Sequence, residues 1–139
     1  MKSDLRKKFD DTVAAFVGRI SGDLQVEIHE VSVVEGADEP FWKNYGPWAS
    51  LPGVYAFLDE NQFLYVGRAL QNTGIGNRVW SHCLPSHYPE TTAWGAVIRD
   101  PKVTVRICSF QSPEANYWVA ALELYLIDKL QPTSNAKTG

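Results

Sequence analysis

The sequence has few cysteines and no long apolar run, and both absences narrow the classes of protein to which it can belong. Its 139 residues include two cysteines, Cys83 and Cys108, in no metal-like spacing. This predicts two reduced thiols and gives no indication of zinc. No apolar run approaches the roughly 20 residues that span a bilayer, and no signal-peptide pattern follows the first residues. We therefore expect a cytoplasmic protein with no membrane partner.

An excess of positive charge is also absent. The chain has 13 Lys and Arg against 16 Asp and Glu, a net charge of −3, whereas nucleic-acid-binding proteins usually carry an excess of basic residues. The deficit lies in residues 1–50, with six basic and nine acidic residues, while residues 51–139 hold seven of each. The larger part of the chain is thus neutral and compatible with an anionic partner.

The length predicts one compact domain with a modest core, and no repeat or linker divides the sequence. We expect residues 1–50 to form an N-terminal elaboration packed on a core of residues 51–139. A helix is predicted from an N-cap at Ser3 to about Ile20, because its apolar residues recur every three or four positions. This stripe consists of Leu5, Phe9, Val13, Phe16 and Ile20.

The elaboration continues with a strand and an aromatic loop. From Leu24, apolar and polar residues alternate, which predicts a half-buried strand. His29 falls on its polar side and is interpreted as a solvated surface residue. The aromatic residues within 41–48 either form a stacking platform for unpaired bases or cover the core. We favour the second interpretation, because Lys43 is the only basic residue in that stretch.

Two apolar and aromatic runs in the middle of the chain predict a β-hairpin. The runs cover residues 53–58 and 63–68, and the polar residues 59–61 lie between them. A turn centred in those polar residues places Tyr55 opposite Tyr65. Because directly opposed residues share a face of the sheet, the two phenol groups are expected to stand side by side.

A helix near residues 74–84 follows the hairpin. Arg78 and His82 are four positions apart on it and therefore share one face. The hairpin and this helix together are expected to bring Tyr55 and Tyr65 close to Arg78 and His82, beside an edge of the sheet.

The C-terminal part predicts a third strand and a long helix. Apolar and polar residues alternate near 102–110, and a helix is expected over 113–130, with Ser112 in N-cap position. The predicted fold class is α+β: a small, mainly antiparallel three-stranded sheet flanked by helices, to which the N-terminal helix and strand are added.

Glu123 lies in the middle of an apolar stripe of that last helix. Its neighbours one turn away are Val119, Ala120, Leu126 and Ile127. An unpaired buried carboxylate is costly and is normally paired with a cation or bound to a metal. From the residues alone, an ion pair with Arg78 or Arg106 and a metal site both remain open for Glu123.

Taken together, these motifs resemble those of the GIY-YIG nuclease family. Gly53-Val54-Tyr55 is similar to its first signature triplet and Tyr65-Val66-Gly67 to its second, with Val in place of Ile in both. Arg78 and His82 match the arginine and histidine of the family's helix. The segment from Glu123 to Asn135 is similar to the C-terminal signature, with its glutamate, Leu-Ile pair, Gln-Pro and closing asparagine.

The resemblance implies a catalytic role for five residues of an endonuclease that cuts DNA phosphodiester bonds. Glu123 would hold one divalent cation, Mg²⁺ or Mn²⁺. Tyr55 would be the general base or its orienting partner, and Arg78 would bind the scissile phosphate. His82 would support the phosphate or share the proton transfer, and Tyr65 would orient water or phosphate. The products would carry 5′-phosphate and 3′-hydroxyl ends.

The resemblance further implies substrate-binding positions at Arg68 and Asn135. It covers residues 52–135 and leaves the form of the DNA and the pathway open, whether repair, recombination, restriction or mobile-element biology. No attached DNA-binding module is visible, so targeting by a protein partner is a further expectation. The alternative is a binding module for nucleic acid or protein that has the same fold and cuts nothing.

Overall fold

A computed structural model of the chain describes residues 1–20, 24–33, 46–70, 72–84, 86–111 and 116–135. The strands are β1 (Val26–Ser32), β2 (Gly53–Leu58), β3 (Phe63–Ala69) and β4 (Thr104–Phe110). The helices are α1 (Lys2–Gly18), α2 (Ile75–His82), α3 (Ala93–Val97) and α4 (Asn116–Leu130), and a 3₁₀ helix covers Pro47–Ser50. None of the helices within these ranges is long and apolar enough to cross a membrane.

The strands form one antiparallel sheet in the order β1-β4-β2-β3. The predicted α+β class is confirmed, but the three-stranded sheet is not, because the sheet of the described residues has four strands. The additional strand is β1, which pairs with β4 from Val26 opposite Phe110 to Ser32 opposite Thr104. The N-terminal strand therefore belongs to the central sheet.

Helices cover both faces of the sheet. Side chains alternate between the two faces along each strand, and both faces carry apolar residues that are buried under helices. One face packs against α1 and α4; its buried residues include Phe9, Val13, Val54, Ala56, Val66, Cys108, Leu122 and Leu126. The other packs against α2, α3 and the 3₁₀ helix; its buried residues include Trp48, Tyr55, Phe57, Ile75, Val79, Val105 and Ile107. The core between the sheet and the helices α1 and α4 contains much of the apolar stripe predicted for α1.

The hairpin forms as predicted, but its register differs by two residues. The Asp59 carboxylate accepts hydrogen bonds from the backbone N–H groups of Asn61 and Gln62 at 2.8 and 3.0 Å, which fixes the turn. Tyr65 lies opposite Phe57, and a bulge separates that pair from the end of the hairpin. Because a shift of two residues keeps the face of each side chain, the predicted face of the two tyrosines is unaffected.

Three local predictions have other outcomes. The N-cap of α1 is Met1, so the prediction of Ser3 was wrong by two residues. The predicted N-cap of the last helix, Ser112, lies outside the described residues. His29 is only partly exposed and stacks on Trp48 with ring centroids 5.1 Å apart, so it is not the solvated residue that we expected. Trp48 is itself buried, as a core-covering residue should be.

The outer edge of β3 is occupied by the segment that follows α4. The N–H groups of Thr133 and Ser134 donate to the carbonyl groups of Phe63 and Leu64 at 3.1 and 2.9 Å. The Asn135 side chain continues the ladder. Its oxygen accepts the Val66 N–H at 2.6 Å and its amide group donates to the Val66 carbonyl at 3.0 Å. The segment thus fixes the strand that carries Tyr65.

A group of four charged residues joins α1 to the sheet. Arg106 of β4 donates to Asp10 at 2.6 and 2.8 Å and to Glu30 at 3.1 Å, and Arg6 also binds Glu30. Burial opposes ionisation of Glu30, but the hydrogen bonds from Arg6 and Arg106 outweigh it, so the pKa of this carboxyl is lowered. The side chains of Arg106 and Glu30 are each 17% exposed, so the pair is shielded from water.

We predict that Arg106→Met destabilises the fold by about 2 kcal/mol, because it leaves the largely buried Glu30 carboxylate without one of its partners. The free energy of unfolding from urea denaturation measures the effect. Lys7→Met is the matched control, since it removes an exposed ion pair with Asp11 and should cost less than about 1 kcal/mol. Equal losses in the two variants would contradict the importance assigned to burial.

Candidate active site

Tyr55 is the most deeply buried polar side chain of the candidate site. It lies on β2, is 0% exposed, and directs its hydroxyl oxygen to Nε2 of His82 at 3.0 Å. In the β2–β3 register Tyr55 lies opposite Gly67, and its ring extends across that residue. The phenol therefore crosses β3 and reaches α2 within the interior of the protein.

Gly67 makes this arrangement possible. A Cβ atom at position 67 would lie 2.5 Å from the hydroxyl oxygen of Tyr55 and 2.6 Å from its ring carbon Cζ. Real Cβ atoms do not come so close to other heavy atoms, so only glycine leaves room for the ring. The need to leave room for the Tyr55 ring thus explains the glycine of the second triplet, and the sequence alone does not reveal this contact.

His82 is the last residue of α2 and lies among aromatic rings. Its ring centroid is 5.0 Å from that of Tyr65 and 6.3 Å from that of Trp94. The Trp94 indole N–H donates to the His82 carbonyl at 2.9 Å and holds α3 against α2. Burial, assisted by the nearby charge of Arg78, lowers the pKa of His82 to about 4. The imidazole is therefore neutral at pH 7, and one of its nitrogens is a proton acceptor.

The pKa of Tyr55 is raised far above its ordinary value, chiefly by burial and further by Tyr65, while Arg78 opposes the shift. A tyrosine that acts alone as a base near neutral pH would need its pKa lowered by nearby cations. In the ligand-free site burial is the stronger effect, so Tyr55 keeps its proton and no free phenolate is present. The group with which the Tyr55 hydroxyl can exchange a proton is Nε2 of His82, to which it is hydrogen-bonded.

Tyr65 and Glu123 lie on the more open side of the site. Burial raises the pKa of the half-buried Tyr65, and the negative charge of Glu123 raises it further. Burial also raises the pKa of Glu123, against the opposing effects of Arg68 and Arg78. These mutual effects place the five residues implied as catalytic within one electrostatic neighbourhood, although they come from β2, β3, α2 and α4.

Glu123 has a different partner from the two arginines that we considered. Arg68 Nη1 donates to Glu123 Oε1 at 3.2 Å, and the Glu123 side chain is 16% exposed. Arg106 is bound instead to Asp10 and Glu30 in the layer of α1. Arg78 is exposed and forms no ion pair with any residue that the structure describes, but its guanidinium group acts on Tyr55 through its charge and a side-chain hydrogen bond.

The donor set at Glu123 fits a hard cation held by a single protein ligand. Among the described residues no group of three or more His, Cys, Asp or Glu side chains could enclose a metal ion. Glu123, however, is a partly exposed carboxylate, and in the described part of the chain it is hydrogen-bonded only by Arg68. Mg²⁺ is typically bound by one or two carboxylates together with water and phosphate oxygens.

Asn135, which was predicted to bind substrate, forms a backbone contact in this structure. Its side chain is 4% exposed and spans the N–H and C=O groups of Val66. Val66 lies between Tyr65 and Gly67, so Asn135 acts on the site by holding both residues in place. Arg68, the other predicted substrate-binding residue, is nearly half exposed beside Glu123.

Trp94 and Tyr88 are residues of this region that the sequence analysis did not assign to the site. Trp94 contacts Tyr65 and Phe57 with ring centroids 5.8 and 5.0 Å apart. Arg99 donates to the carbonyl groups of Tyr88 and Gly95, both at 2.8 Å, and fixes the loop before α3. No spacing or motif indicates these contacts, because they join segments that are far apart in the sequence.

Comparisons with protein-family models, with curated proteins and with solved structures found no match for this chain.

We predict that Gly67→Ala destabilises the protein by about 1–3 kcal/mol, because the new methyl group overpacks against Tyr55. It should also break the contact between Tyr55 and His82, which the NMR titration of His82 would reveal. Gly18→Ala is the matched control, since a Cβ atom there meets nothing within 4 Å. Wild-type stability of Gly67→Ala would contradict the ring position described above.

We predict that His82 makes the fold sensitive to mild acid. An unfolded histidine binds a proton near pH 6.5, whereas folded His82 does so only near 4, so the unfolded state holds more protons between these values. Stability should therefore fall as pH is lowered from about 6.5 to about 4, by at most about 3 kcal/mol. Denaturation at several pH values measures this loss, and His82→Gln should reduce it. An unchanged pH dependence in that variant would refute the assignment.

Proposed function

We propose that the chain is a metal-dependent endonuclease of GIY-YIG type that hydrolyses DNA phosphodiester bonds. The observation that carries the proposal is the juxtaposition of Tyr55, Tyr65, Arg78, His82 and Glu123, the five residues to which the sequence resemblance gives catalytic roles. They lie on four separate helices and strands, so their closeness in the sequence does not explain why they meet at one site. Arg68 and Asn135 lie beside them.

Tyr55 and His82 act as one proton-accepting unit in this proposal. The Tyr55 oxygen takes a proton from the attacking water while its own proton passes along the hydrogen bond to Nε2 of His82, which lies 3.0 Å from that oxygen. No free phenolate forms at any stage, so the raised pKa of Tyr55 does not prevent the transfer. Because Tyr55 is shielded from bulk solvent, the water enters beside Tyr65, which orients it. The hydroxide then attacks phosphorus, the bond to the 3′ oxygen breaks, and this oxygen takes a proton from solvent to become the 3′-hydroxyl group, while His82 returns its extra proton to solvent through Tyr55.

In this proposal, arginine side chains bind the phosphate group at the cleavage site. Arg78 is exposed and forms no ion pair within the described residues, so it binds the scissile phosphate. Arg68 is neutralised by Glu123 at 3.2 Å in the ligand-free protein and becomes available when Glu123 binds another cation. Cations placed where negative charge develops stabilise the transition state of such reactions.

Glu123 is the residue that would hold the single Mg²⁺ or Mn²⁺ ion. When bound, this ion supplies charge neutralisation at the phosphate and stabilisation of the departing 3′ oxygen. A single, partly exposed carboxylate suits an ion that brings most of its own ligands as water and phosphate. The expected products carry 5′-phosphate and 3′-hydroxyl ends.

The second candidate function is a non-catalytic binding module for nucleic acid or protein. The net charge of −3 favours it, because an acidic protein attracts DNA less strongly than a basic one. Targeting of the nuclease by a protein partner is consistent with the same observation.

We predict metal-dependent cleavage in a panel of supercoiled plasmid, flaps, junctions and single strands, assayed with Mg²⁺, with Mn²⁺ and with EDTA. EDTA and Glu123→Gln should each abolish cutting, because both remove the bound cation. Tyr55→Phe should lower kcat by about 10²–10⁴, the usual contribution of a positioned proton-transfer group. Glu60→Gln and Tyr117→Phe are the matched controls, since both side chains are exposed and lie outside the site.

Each alternative gives a different pattern in this panel. Cleavage that survives in Glu123→Gln would exclude Glu123 as the metal ligand. A folded wild-type protein that binds DNA and cuts none of the substrates would support the binding module. A Tyr55→Phe variant that loses less than about tenfold would make Tyr55 a positioning residue for His82.

A further inference from the structure

A cavity of about 340 Å³ opens directly beside the candidate site and is not used by the chemistry proposed above. Tyr65 and His82 form the wall that it shares with that site. The remaining lining includes Tyr88, Trp94, Val97 and Ser134. Its volume is at the small end of the range for ligand pockets, about 300–1,000 Å³. The cavity therefore suits one compact group adjoining the scissile bond.

The chemistry of the lining restricts what that group can be. None of the described residues around the cavity is Lys, Arg, Asp or Glu, so nothing there compensates the charge of a phosphate or carboxylate group. Four of the lining residues carry aromatic rings, namely Tyr65, His82, Tyr88 and Trp94. The indole N–H of Trp94 is already used by the His82 carbonyl at 2.9 Å, so Trp94 offers the cavity only its ring surface.

These features match an uncharged, flat, aromatic group. Nucleobases stack on aromatic side chains irrespective of their sequence, because every base has a π face. The hydroxyl group of Ser134 adds one polar contact for the edge of such a ring. Two of the aromatic residues are also held in place, since Arg99 binds the backbone carbonyl groups of Tyr88 and of Gly95, the residue after Trp94.

We propose that this cavity takes one unstacked nucleobase of the DNA, next to the phosphate that is cut. The inference rests on the proposed nuclease function and specifies its substrate class, namely DNA with an unpaired nucleotide at the cleavage site. A base within intact duplex must first leave the stack, which costs a few kcal/mol. A base that is already unpaired does not incur this cost. The enzyme therefore prefers bulged or flapped DNA to perfect duplex.

The test compares three duplexes of one sequence in EDTA, where cutting is suppressed. The first is fully paired, the second has a single bulged thymidine, and the third has an abasic nucleotide in the same bulge. The two bulges have the same covalent backbone and differ only in the base. Fluorescence polarisation should show about tenfold tighter binding of the thymidine bulge than of the abasic bulge, the contribution of one stacked base.

Two substitutions on α3 provide the matched comparison. Val97→Phe fills the cavity, and we expect the difference between thymidine and abasic bulges to vanish. Ala96→Phe introduces the same side chain at an exposed neighbouring position and should keep the difference. Trp94→Ala is a second variant that should reduce it, with Trp94→Phe restoring it, and circular dichroism verifies that each variant is folded.

The outcomes separate this inference from the proposed function. Equal affinity for the two bulges, or a difference that survives in Val97→Phe, would overturn the proposal that the cavity binds a base. If metal-dependent cleavage is still observed in that case, the proposed nuclease function stands. Failure to bind any of the three duplexes, together with no cutting of any DNA in the larger panel, would overturn both. Tighter binding of the thymidine bulge, with cleavage beside it once Mg²⁺ is added, would support both.

Discussion

The arrangement of the candidate site depends on one buried contact, the hydrogen bond between the Tyr55 hydroxyl and His82. The phenol reaches the histidine by lying flat across β3, which requires glycine at position 67. The same burial keeps Tyr55 protonated and His82 neutral. A pair of this kind can pass a proton between its members while neither carries a charge at rest. The sheet, α2 and the C-terminal segment all serve to keep these two rings together.

The electrostatics of the site are balanced in the absence of substrate. Glu123 and Arg68 neutralise each other at 3.2 Å, whereas the charge of Arg78 remains exposed. A C-terminal two thirds with equal numbers of basic and acidic residues is weakly attractive to DNA. Selectivity in such a protein must come from the shape and chemistry of the site more than from long-range attraction.

Much of this arrangement was predictable from local patterns, and the remainder depended on contacts between distant segments. Alternation along the strands gave the face of Tyr55 and Tyr65, and the four-residue spacing placed Arg78 and His82 together. The apolar surroundings of Glu123 showed that it needed a partner. The identity of that partner, Arg68, was not predictable, because the approach of α4 to β3 is set by tertiary packing. The bulge that shifts the hairpin register and the position of Trp94 have no local signal either.

The cover over β3 has a consequence for the behaviour of the protein at high concentration. An uncovered strand edge is a template for pairing with the edge of a second molecule, and this is a common origin of aggregation. Residues 133–135 occupy this template with the chain's own hydrogen bonds. Asn135 therefore does more than hold Tyr65 and Gly67 in place. By occupying the backbone groups of Val66, it leaves less of the strand that carries Tyr65 open to pairing with a second molecule.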